Sequence, residues 1–539
     1  MATIDSCFED YDKKYNPVGQ TLAQSVRAYR VEVLLAFAQA GIAIHKLTSP
    51  SLKRLLERDR SSLGSNMMDL APMIGMVETT TLLEELEGVV EWSACWDATY
   101  RFAEVWGALV YFFNRSTGRS TGRRQKRLIN LRLLQQSLTG PETCGLVINA
   151  AATMRLPLAH NVFDIFDRCA VNYSAFNMLH GLAPDSLPIG CISHTSSHVG
   201  EKAELPMVKS LVEGLNVATH SVTARQLFRT EYGETIEGHS DIRWYCTFNQ
   251  AKQQQRLYPH LGPWVNSLEV AGVVPQTCGK LRAALLHPGT LKLELSVMVD
   301  AFDPFVIACY TLEGDAAALV FRVHSDWLHL ITHASLCRAT TALTRTRATA
   351  QEIVTQQFPA LLQAQIDLKV NQLIAEQLQK VEPAFAYFDT KTAELKDQLD
   401  FYEAATMFHP LLVQRAGGLS QPDLLRLVAF IPRLNKPAMI ATLTAQREEY
   451  VTECLATPLS PTPWQQCDIE ALWHSTRFRR LAAWHGAALT VMLAQPSSAP
   501  IERVFSMLKS VVDDQQGQAL QDFQAGAMMT YYNARERAR

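Results

Sequence analysis

The pattern of apolar and polar positions predicts a chain that begins helical and then becomes a mixed α/β domain. Residues from about 20 to 60 place apolar side chains at helical spacing. From Val89, the β-rich runs VVEWSACWDAT and EVWGALVYFF are followed by a third, RLINLRLL, which starts at Arg127. Three consecutive strands predict an antiparallel meander.

Helices and strands alternate in the next segment. The pattern predicts a helix over Thr139–Thr153, the strand HNVFDIFD, a helix over Ala170–Leu179, the strand LPIGCIS and a further helix. Strands that alternate with helices pair in parallel, whereas the meander before them is antiparallel. The whole region therefore predicts a mixed sheet.

Beyond Trp244 the pattern is mainly helical, with long amphipathic stretches over Ala350–Lys380 and Ala384–Ala405. One apolar piece, LKLELSVMVDAFDPFVIACYTLEGD from Leu291, is predicted to be β-structure. The prolines near Pro461 mark a return to the first domain. We therefore predict four parts: an N-terminal helical region (1–85), the first part of an α/β core (86–245), a large, mainly α-helical insertion (246–465), and the last part of the core (466–539).

Composition narrows the class of protein. The chain has 539 residues, 47% apolar and 19% charged, which describes a globular protein of more than one domain. With 53 acidic and 50 basic residues, the net charge of -3 does not indicate nucleic-acid binding by the whole chain. Eleven cysteines without a CxxC pair argue against a disulfide framework and a zinc finger.

The sequence also bears on location. The N-terminus is acidic where a signal peptide would be basic and then apolar, and no uninterrupted apolar run approaches the ~20 residues of a membrane span. The cysteine pattern suits a reducing compartment. We expect no membrane association and a nuclear location, with a cytoplasmic one as the alternative.

Three carboxylates are candidates for metal chemistry. Asp97 lies in CWDATYRFAEVW, at the end of the first predicted strand, and Asp167 ends HNVFDIFD directly before a helix. Glu502 enters the first turn of a predicted amphipathic helix in QPSSAPIERVFSMLKS. Phosphodiester chemistry uses two Mg²⁺ ions held by carboxylates roughly 4 Å apart. The alternatives are turn or cap roles for the aspartates and a favourable helix-dipole position for Glu502. Asp164 competes with Asp167.

These motifs, in their order and spacing, resemble those of the hAT superfamily of DNA transposases. The first Asp motif is similar to WDATYRFAEVWGALVYFF, the second to DRCAVNYSAFNML, and the C-terminal signature to AQPSSAPIERVFSMLKS. The second motif begins at Asp167, which favours it over Asp164. The segments QAGIAIHKLTSPSLKRLLE, RLINLRLLQQSLTG, LPIGCISHTSSHVGEK and SDIRWYCTF also resemble family blocks.

The resemblance implies a ribonuclease-H-like core interrupted by an all-helical insertion. It implies metal-dependent DNA cleavage and strand transfer by Asp97, Asp167 and Glu502, with two Mg²⁺ or Mn²⁺ ions and no small-molecule cofactor. It also implies self-association through the C-terminal region, where Phe505, Leu508 and Val511 form an apolar helix face.

Two further motifs each allow two interpretations. Cys191, His194 and His198 have a C-x-x-H-x-x-x-H spacing that needs one more ligand for zinc; the alternative is a structural or DNA-contacting role, with His194 near the catalytic centre. In the Arg243-Trp244 pair, the tryptophan can stack on an extruded base while the arginine contacts a phosphate. The alternative is that Trp244 anchors the insertion.

A basic segment, RSTGRSTGRRQKR, lies between the second and third predicted strands and has six basic residues in thirteen. Arg119, Arg123, Arg124 and Lys126 are its candidate DNA contacts. A nuclear-import signal and a solvated hairpin tip are the alternatives.

The chain departs from the family pattern in one important respect: no N-terminal zinc-finger module precedes the core. Two hypotheses follow: an active hAT-like transposase, or a domesticated or decayed protein that binds DNA and self-associates without catalysis. A silent copy with no selected function remains a third.

Overall fold

The computed structural model describes most of the chain, and the contacts of those residues divide it into two compact units. The first unit comprises 1–191, 313–322 and 398–539, and the second comprises 192–312 and 323–397. The predicted insertion, 246–465, therefore has different bounds from the second unit. The described residues are 7, 24–41, 72–100, 104–114, 123–134, 136–236, 244–273, 275–458, 463–511 and 521–538.

The first unit contains a five-stranded sheet and the helices around it. Its strands are β1 (Trp92–Tyr100), β2 (Glu104–Phe112), β3 (Gln125–Leu134), β4 (Asn161–Phe166) and β5 (Leu187–Gly190). Its helices up to β5 are α1 (Gln24–Gln39), α2 (Pro72–Leu86), α3 (Gly140–Thr153) and α4 (Ala170–His180).

The second unit is helical throughout its described residues. Its helices are α5 (Ile192–Glu201), α6 (Pro206–His220), α7 (Val222–Tyr232), α8 (Trp244–Val270), α9 (Pro275–Leu285), α10 (Pro288–Leu312), α11 (Val323–Arg338), α12 (Thr344–Gln357) and α13 (Gln363–Glu394).

The remaining helices belong to the first unit, apart from the first two residues of α14. They are α14 (Lys396–Ala405), α15 (Pro410–Arg415), α16 (Gln421–Val428), α17 (Pro437–Ala445), α18 (Arg447–Leu455), α19 (Ile469–His474), α20 (Thr476–Arg479), α21 (Ala482–Met492), α22 (Ala499–Val511) and α23 (Gln521–Ala538). Four short 3₁₀ turns complete the described elements: Leu158–His160, Ala317–Phe321, Thr406–Phe408 and Trp464–Gln466.

The sheet is mixed, with the strand order β3-β2-β1-β4-β5. β1 pairs antiparallel with β2, and β2 with β3, whereas β4 is parallel to both β1 and β5. The predicted meander and the predicted mixed sheet are thereby confirmed. Helices α3 and α4 connect the parallel strands, as parallel pairing requires.

On each outer strand, an amide side chain pairs with the backbone of one residue as a neighbouring strand would. The Asn533 side chain accepts from Leu128 N–H at 2.8 Å and donates to Leu128 C=O at 3.0 Å on β3. The Gln398 side chain accepts from Gly190 N–H at 3.2 Å and donates to Gly190 C=O at 2.8 Å on β5. Backbone groups that an open edge would leave unpaired are satisfied in this way.

One predicted element is wrong. The segment from Leu291, expected to be β-structure, lies in helix α10. Most positions on all sides of α10 are buried among other helices of the second unit, so its sequence lacks the polar face by which an amphipathic helix is recognised. By length and composition this helix could also cross a membrane, but 72% of its most apolar window is buried inside the protein, as in a core helix.

The second unit contains a buried carboxylate at a helix start. Glu294 of α10 accepts the N–H groups of Met207 at 2.8 Å and Val208 at 3.1 Å, in the first turn of α6. Its other oxygen pairs with Lys380 Nζ at 2.8 Å. The free N–H groups and the dipole of α6 thus compensate the cost of burying this charge.

A close approach of two helices in the first unit requires glycine. A Cβ added at Gly526 of α23 would lie 2.8 Å from the backbone N and Cα of Gly75 on α2.

We predict that G526A lowers the free energy of unfolding by about 2–3 kcal/mol, because backbone atoms cannot rotate away. G145A on α3, where no neighbouring atom lies within 4 Å, should instead raise it by about 0.5–1 kcal/mol. Urea unfolding measures both, and equal midpoints would contradict the contact.

A buried histidine predicts an acid-dependent loss of stability. The ring of His409 is 1% exposed and lies 5.3 Å from the rings of both Phe321 and Trp464. Burial lowers its pKa from 6.5 to about 4. The unfolded chain therefore takes up a proton between these values while the folded chain does not, and stability falls as the pH falls.

We predict that H409F removes up to about 3 kcal/mol of this stability loss between pH 6.5 and 4. Urea unfolding at several pH values measures the slope, with H220Q at an exposed histidine as the control. An unchanged slope in H409F would show that other groups cause the acid sensitivity.

Candidate functional site: the carboxylate edge of the sheet

The parallel pairing of β1 with β4 brings two of the candidate carboxylates together. Cys95 pairs with Ile165, and continuing this register by two residues places Asp97 beside Asp167. Residues two apart on a strand point to the same face, so both aspartates lie on the Cys95 side of the sheet. The sequence predicted Asp97 at the end of the first strand, but Asp97 lies within β1. Asp167 directly follows β4.

Asp164 belongs to the other face and has a structural role. It is fully buried, and its carboxylate accepts from Trp96 Nε1 at 3.2 Å, Asn161 Nδ2 at 2.8 Å and Ser186 Oγ at 2.7 Å. Burial raises its pKa in spite of these three donors. These contacts account for Asp164 without any ligand.

The third carboxylate reaches this part of the sheet on helix α22. Glu502 lies in the first turn of α22, as the sequence predicts. A Cβ on Gly107 would lie 2.9 Å from Ile501 Cδ1 and 3.2 Å from Phe505 Cε1, and Gly107 pairs with Asp97. The absence of a side chain at Gly107 therefore allows α22 to lie directly over the strand pair that carries Asp97.

The charges of the three carboxylates affect the pKa values of two thiols. The pKa of the Cys95 thiol is raised well above its usual value, first by complete burial and then by the charges of Asp97 and Glu502. The pKa of the Cys169 thiol is raised by desolvation and further by Asp167 and Asp97. The charge of Asp97 thus acts on both thiols, that of Glu502 on Cys95 and that of Asp167 on Cys169.

The side chains themselves turn toward neighbouring groups. Asp97 accepts the N–H of Ala98 at 2.8 Å, and Asp167 accepts the N–H of Arg168 at 2.6 Å. Glu502 accepts from Ser498 Oγ at 3.1 Å. Within the described residues, no group of three or more His, Cys, Asp or Glu side chains is arranged to hold a metal ion. As a donor set, three carboxylates have the hard oxygen chemistry that Mg²⁺ prefers.

Cys191 and the two histidines after it have separate partners. The Cys191 sulfur accepts the N–H of Ser498 at 3.3 Å and lies 3.6 Å from Ser497 Oγ, just before α22. His194 and His198 share a face of α5, with stacked rings 6.2 Å apart. His198 Nδ1 lies 2.8 Å from Glu201, a contact that lowers the pKa of that glutamate.

Trp244 packs inside the helical unit. Its ring lies against Gly200, where an added Cβ would be 2.3 Å away, and 5.2 Å from the ring of Phe302. The side chain is half-buried, so one of its faces is covered. Arg243 and Arg119 lie outside the described residues.

The basic residues before β3 differ in what they contact. Arg123 is 68% exposed and pairs with Asp468 at 3.3 Å. Arg124 lies over the Tyr111 ring, 4.8 Å from its centroid, and donates four hydrogen bonds to other parts of the chain. Lys126 is 8% exposed and pairs with Asp315 at 2.7 Å and Glu536 at 3.4 Å. Among these three, Arg123 has the exposed cationic group.

A cavity of about 530 Å³ lies beside these residues. Its charged lining mixes cations with carboxylates, so it does not form a basic groove. The basic lining residues are Arg123, Arg124, Lys126, Arg127 and Arg537, and the acidic ones are Asp315, Asp468, Glu470 and Glu536.

Two of the three predicted dimerisation residues are part of the single chain's core. Phe505 is 2% exposed and Leu508 is 1% exposed. Val511 ends α22, and its side chain lies outside the description. Phe505 and Leu508 stabilise the packing of α22, and a role between chains remains a prediction.

Neither a known protein-family model nor a curated protein matches this chain. The site therefore rests on its own residues. Sequence reasoning missed Asp315, which pairs with Arg503 of α22, and Gln495, which lies before α22 and donates to Gly314 C=O. Gln495 stands in the C-terminal motif, whereas Asp315 is the last residue of the apolar segment that was interpreted as β-structure.

The contacts of Arg124 predict a role in stability that Arg123 does not share. R124Q removes a charged donor from Met492 C=O, Ala494 C=O, Asp315 C=O and the Gln495 side chain, at 2.6–3.2 Å. We predict a loss of about 3 kcal/mol in the free energy of unfolding. R123Q, which removes an exposed pair, should change it by less than about 1 kcal/mol. Similar unfolding midpoints for the two variants would contradict this assignment.

Proposed function

We propose that this chain is a hAT-like DNA transposase that cleaves and rejoins DNA through Asp97, Asp167 and Glu502, in a ribonuclease-H-like core. The observation that carries the proposal is that β1 and β4 pair in parallel just before Asp97 and Asp167, and that α22, which carries Glu502, packs on Gly107, the partner of Asp97. In the sequence, 335 positions separate Asp167 from Glu502 (502 - 167). Strand ends of such sheets are where ligands bind. The strand order β3-β2-β1-β4-β5, with an antiparallel meander beside parallel strands, supports the same core.

The residues suggest how the chemistry would be divided. Asp97, Asp167 and Glu502 would hold Mg²⁺ or Mn²⁺, with two ions expected. When bound, the ions would activate a water or a 3′-hydroxyl group and stabilise the leaving oxygen. Asp97 is 8% exposed, so its charge acts with little screening by water. Arg123 supplies an exposed cation for a DNA phosphate, and His194, Arg243 and Trp244 remain candidate contacts.

The proposal predicts that E502Q, D97N and D167N each lower divalent-dependent DNA nicking by at least about 100-fold, since loss of a metal ligand costs more than loss of an outer group. The substrate is a supercoiled plasmid that carries the genomic DNA on both sides of the coding sequence. E448Q is the matched control, because the Glu448 side chain is 90% exposed. Circular dichroism checks that each variant folds. Undiminished nicking by folded E502Q would refute the assignment.

A second candidate is a catalytically inactive, transposon-derived protein that binds DNA and self-associates. The absence of a metal-holding group among the described residues favours it. In that case the wild-type chain should sediment as a dimer or larger and bind DNA equally with Mg²⁺, Mn²⁺ or EDTA. Cation-dependent nicking would exclude this candidate. Either function suits a nuclear location.

A further inference from the structure

The cavity of the first unit is formed by segments that lie far apart in the sequence. Its volume of about 530 Å³ falls within the roughly 300–1,000 Å³ of small-molecule sites. The lining comes from Tyr111 on β2, from 123–127 at the start of β3, from 315–318, from 467–470 and from 536–537 at the end of α23. The cavity walls are therefore set by the tertiary structure of this unit and not by a single loop.

Part of the lining is apolar. It includes the backbone and methyl groups of 316–318, the side chain of Ile469 and the ring of Tyr111. Tyr111 is 1% exposed, and its buried hydroxyl has no hydrogen-bond partner among the described residues. Buried hydroxyls are normally hydrogen-bonded, and a polar ligand in the cavity is one group that can satisfy this one. The lining thus suits a ligand with an apolar body and polar ends.

Most charges of the lining are compensated by the protein itself. Three of the five cations are engaged in ion pairs: Lys126 with Asp315 and Glu536, and both Arg127 and Arg537 with Glu85. The guanidinium of Arg124 donates to four acceptors in other parts of the chain. A ligand could use these groups only by breaking contacts that hold the unit together.

Two oppositely charged side chains of the lining keep unused hydrogen-bonding capacity. Arg123 is 68% exposed, and its pair with the equally exposed class of side chain at Asp468 contributes little to stability. Glu470 accepts the N–H of Arg124 at 3.1 Å with one oxygen, and its other oxygen has no partner among the described residues. Burial raises the pKa of the Glu470 carboxyl, so a cation from a ligand would stabilise its charged form.

We propose that this cavity binds a small zwitterion with an apolar body, a free apolar amino acid or a short peptide, whose carboxylate pairs with Arg123 and whose ammonium group pairs with Glu470. A guanidinium offers a carboxylate two parallel N–H donors. Five cations and four carboxylates line the cavity, so a ligand that carries both signs matches it better than a purely anionic one. The inference does not depend on the proposed function.

Three probes with the same hydrocarbon chain test whether both charges are needed. L-leucine has both, 4-methylpentanoate has only the carboxylate, and 3-methylbutylamine has only the ammonium group. By isothermal titration calorimetry of the full-length chain, we expect L-leucine to bind at least about 10-fold more tightly than either, because each end adds a charge-assisted hydrogen bond. L-leucyl-L-leucine, titrated in parallel, binds more tightly than L-leucine if the ligand is a peptide and more weakly if it is a free amino acid.

Two variants assign the ends of the ligand. R123Q should remove the advantage of L-leucine over 3-methylbutylamine, and E470Q should remove its advantage over 4-methylpentanoate. E448Q, at a glutamate that is 90% exposed and outside the cavity, should keep the wild-type affinity. Circular dichroism checks that each variant folds. Full L-leucine affinity in folded R123Q and E470Q would overturn the proposal, as would equal binding of the three probes or no binding of L-leucine and L-leucyl-L-leucine by the wild type.

A cysteine of the lining gives a second readout. Cys467 is half-buried in the cavity lining, whereas Cys246 is half-buried in the second unit and does not line the cavity. L-leucine should slow the alkylation of Cys467 by N-ethylmaleimide and leave that of Cys246 unchanged, as measured by mass spectrometry of peptides. Binding of L-leucine without protection of Cys467 would place the ligand elsewhere and overturn the proposal.

Discussion

The seating of α22 on the sheet is the constraint on which the candidate site depends. β1 and β4 pair in parallel as far as Cys95 and Ile165, two residues before Asp97 and Asp167, but Glu502 lies on a helix near the far end of the chain. A side chain at Gly107 would meet the ends of the Ile501 and Phe505 side chains, which would have to shift. The burial of Phe505 and Leu508 thus stabilises the position of the helix that carries Glu502.

At sheet edges and at a helix end of the first unit, distant side chains form hydrogen bonds with the free backbone groups. At the sheet edges, Asn533 and Gln398 satisfy a strand's free N–H and C=O. At the end of α21, Arg124 satisfies the last carbonyls. Each of these side chains lies far in sequence from the backbone groups it satisfies. Together with the glycine contact between α2 and α23, they hold distant segments of the first unit in register.

The sequence predicted the five strands and the helices α3, α4 and α22 of the first unit because their apolar positions follow a clear period. The preference for Asp167 over Asp164 agrees with strand alternation, which places Asp164 on the face that binds Trp96 and Ser186. Helix α10 was mistaken for β-structure because it is apolar on every side. The roles of Arg124 and Lys126 were beyond prediction, since a basic run looks the same whether its partners are phosphates, carbonyls or distant carboxylates. Asp315 was missed because its cationic partners, Lys126 and Arg503, lie far from it in the sequence.

The charges of Asp97, Asp167 and Glu502 affect the ionisation of the thiols near them. Asp97 is nearly buried, and its charge helps to raise the pKa of the Cys95 thiol together with Glu502 and the pKa of the Cys169 thiol together with Asp167. Burial and a neighbouring negative charge both disfavour the thiolate, so both thiols stay protonated at neutral pH. The proposed cation would therefore meet carboxylate oxygens, the ligands that Mg²⁺ prefers, and not thiolates.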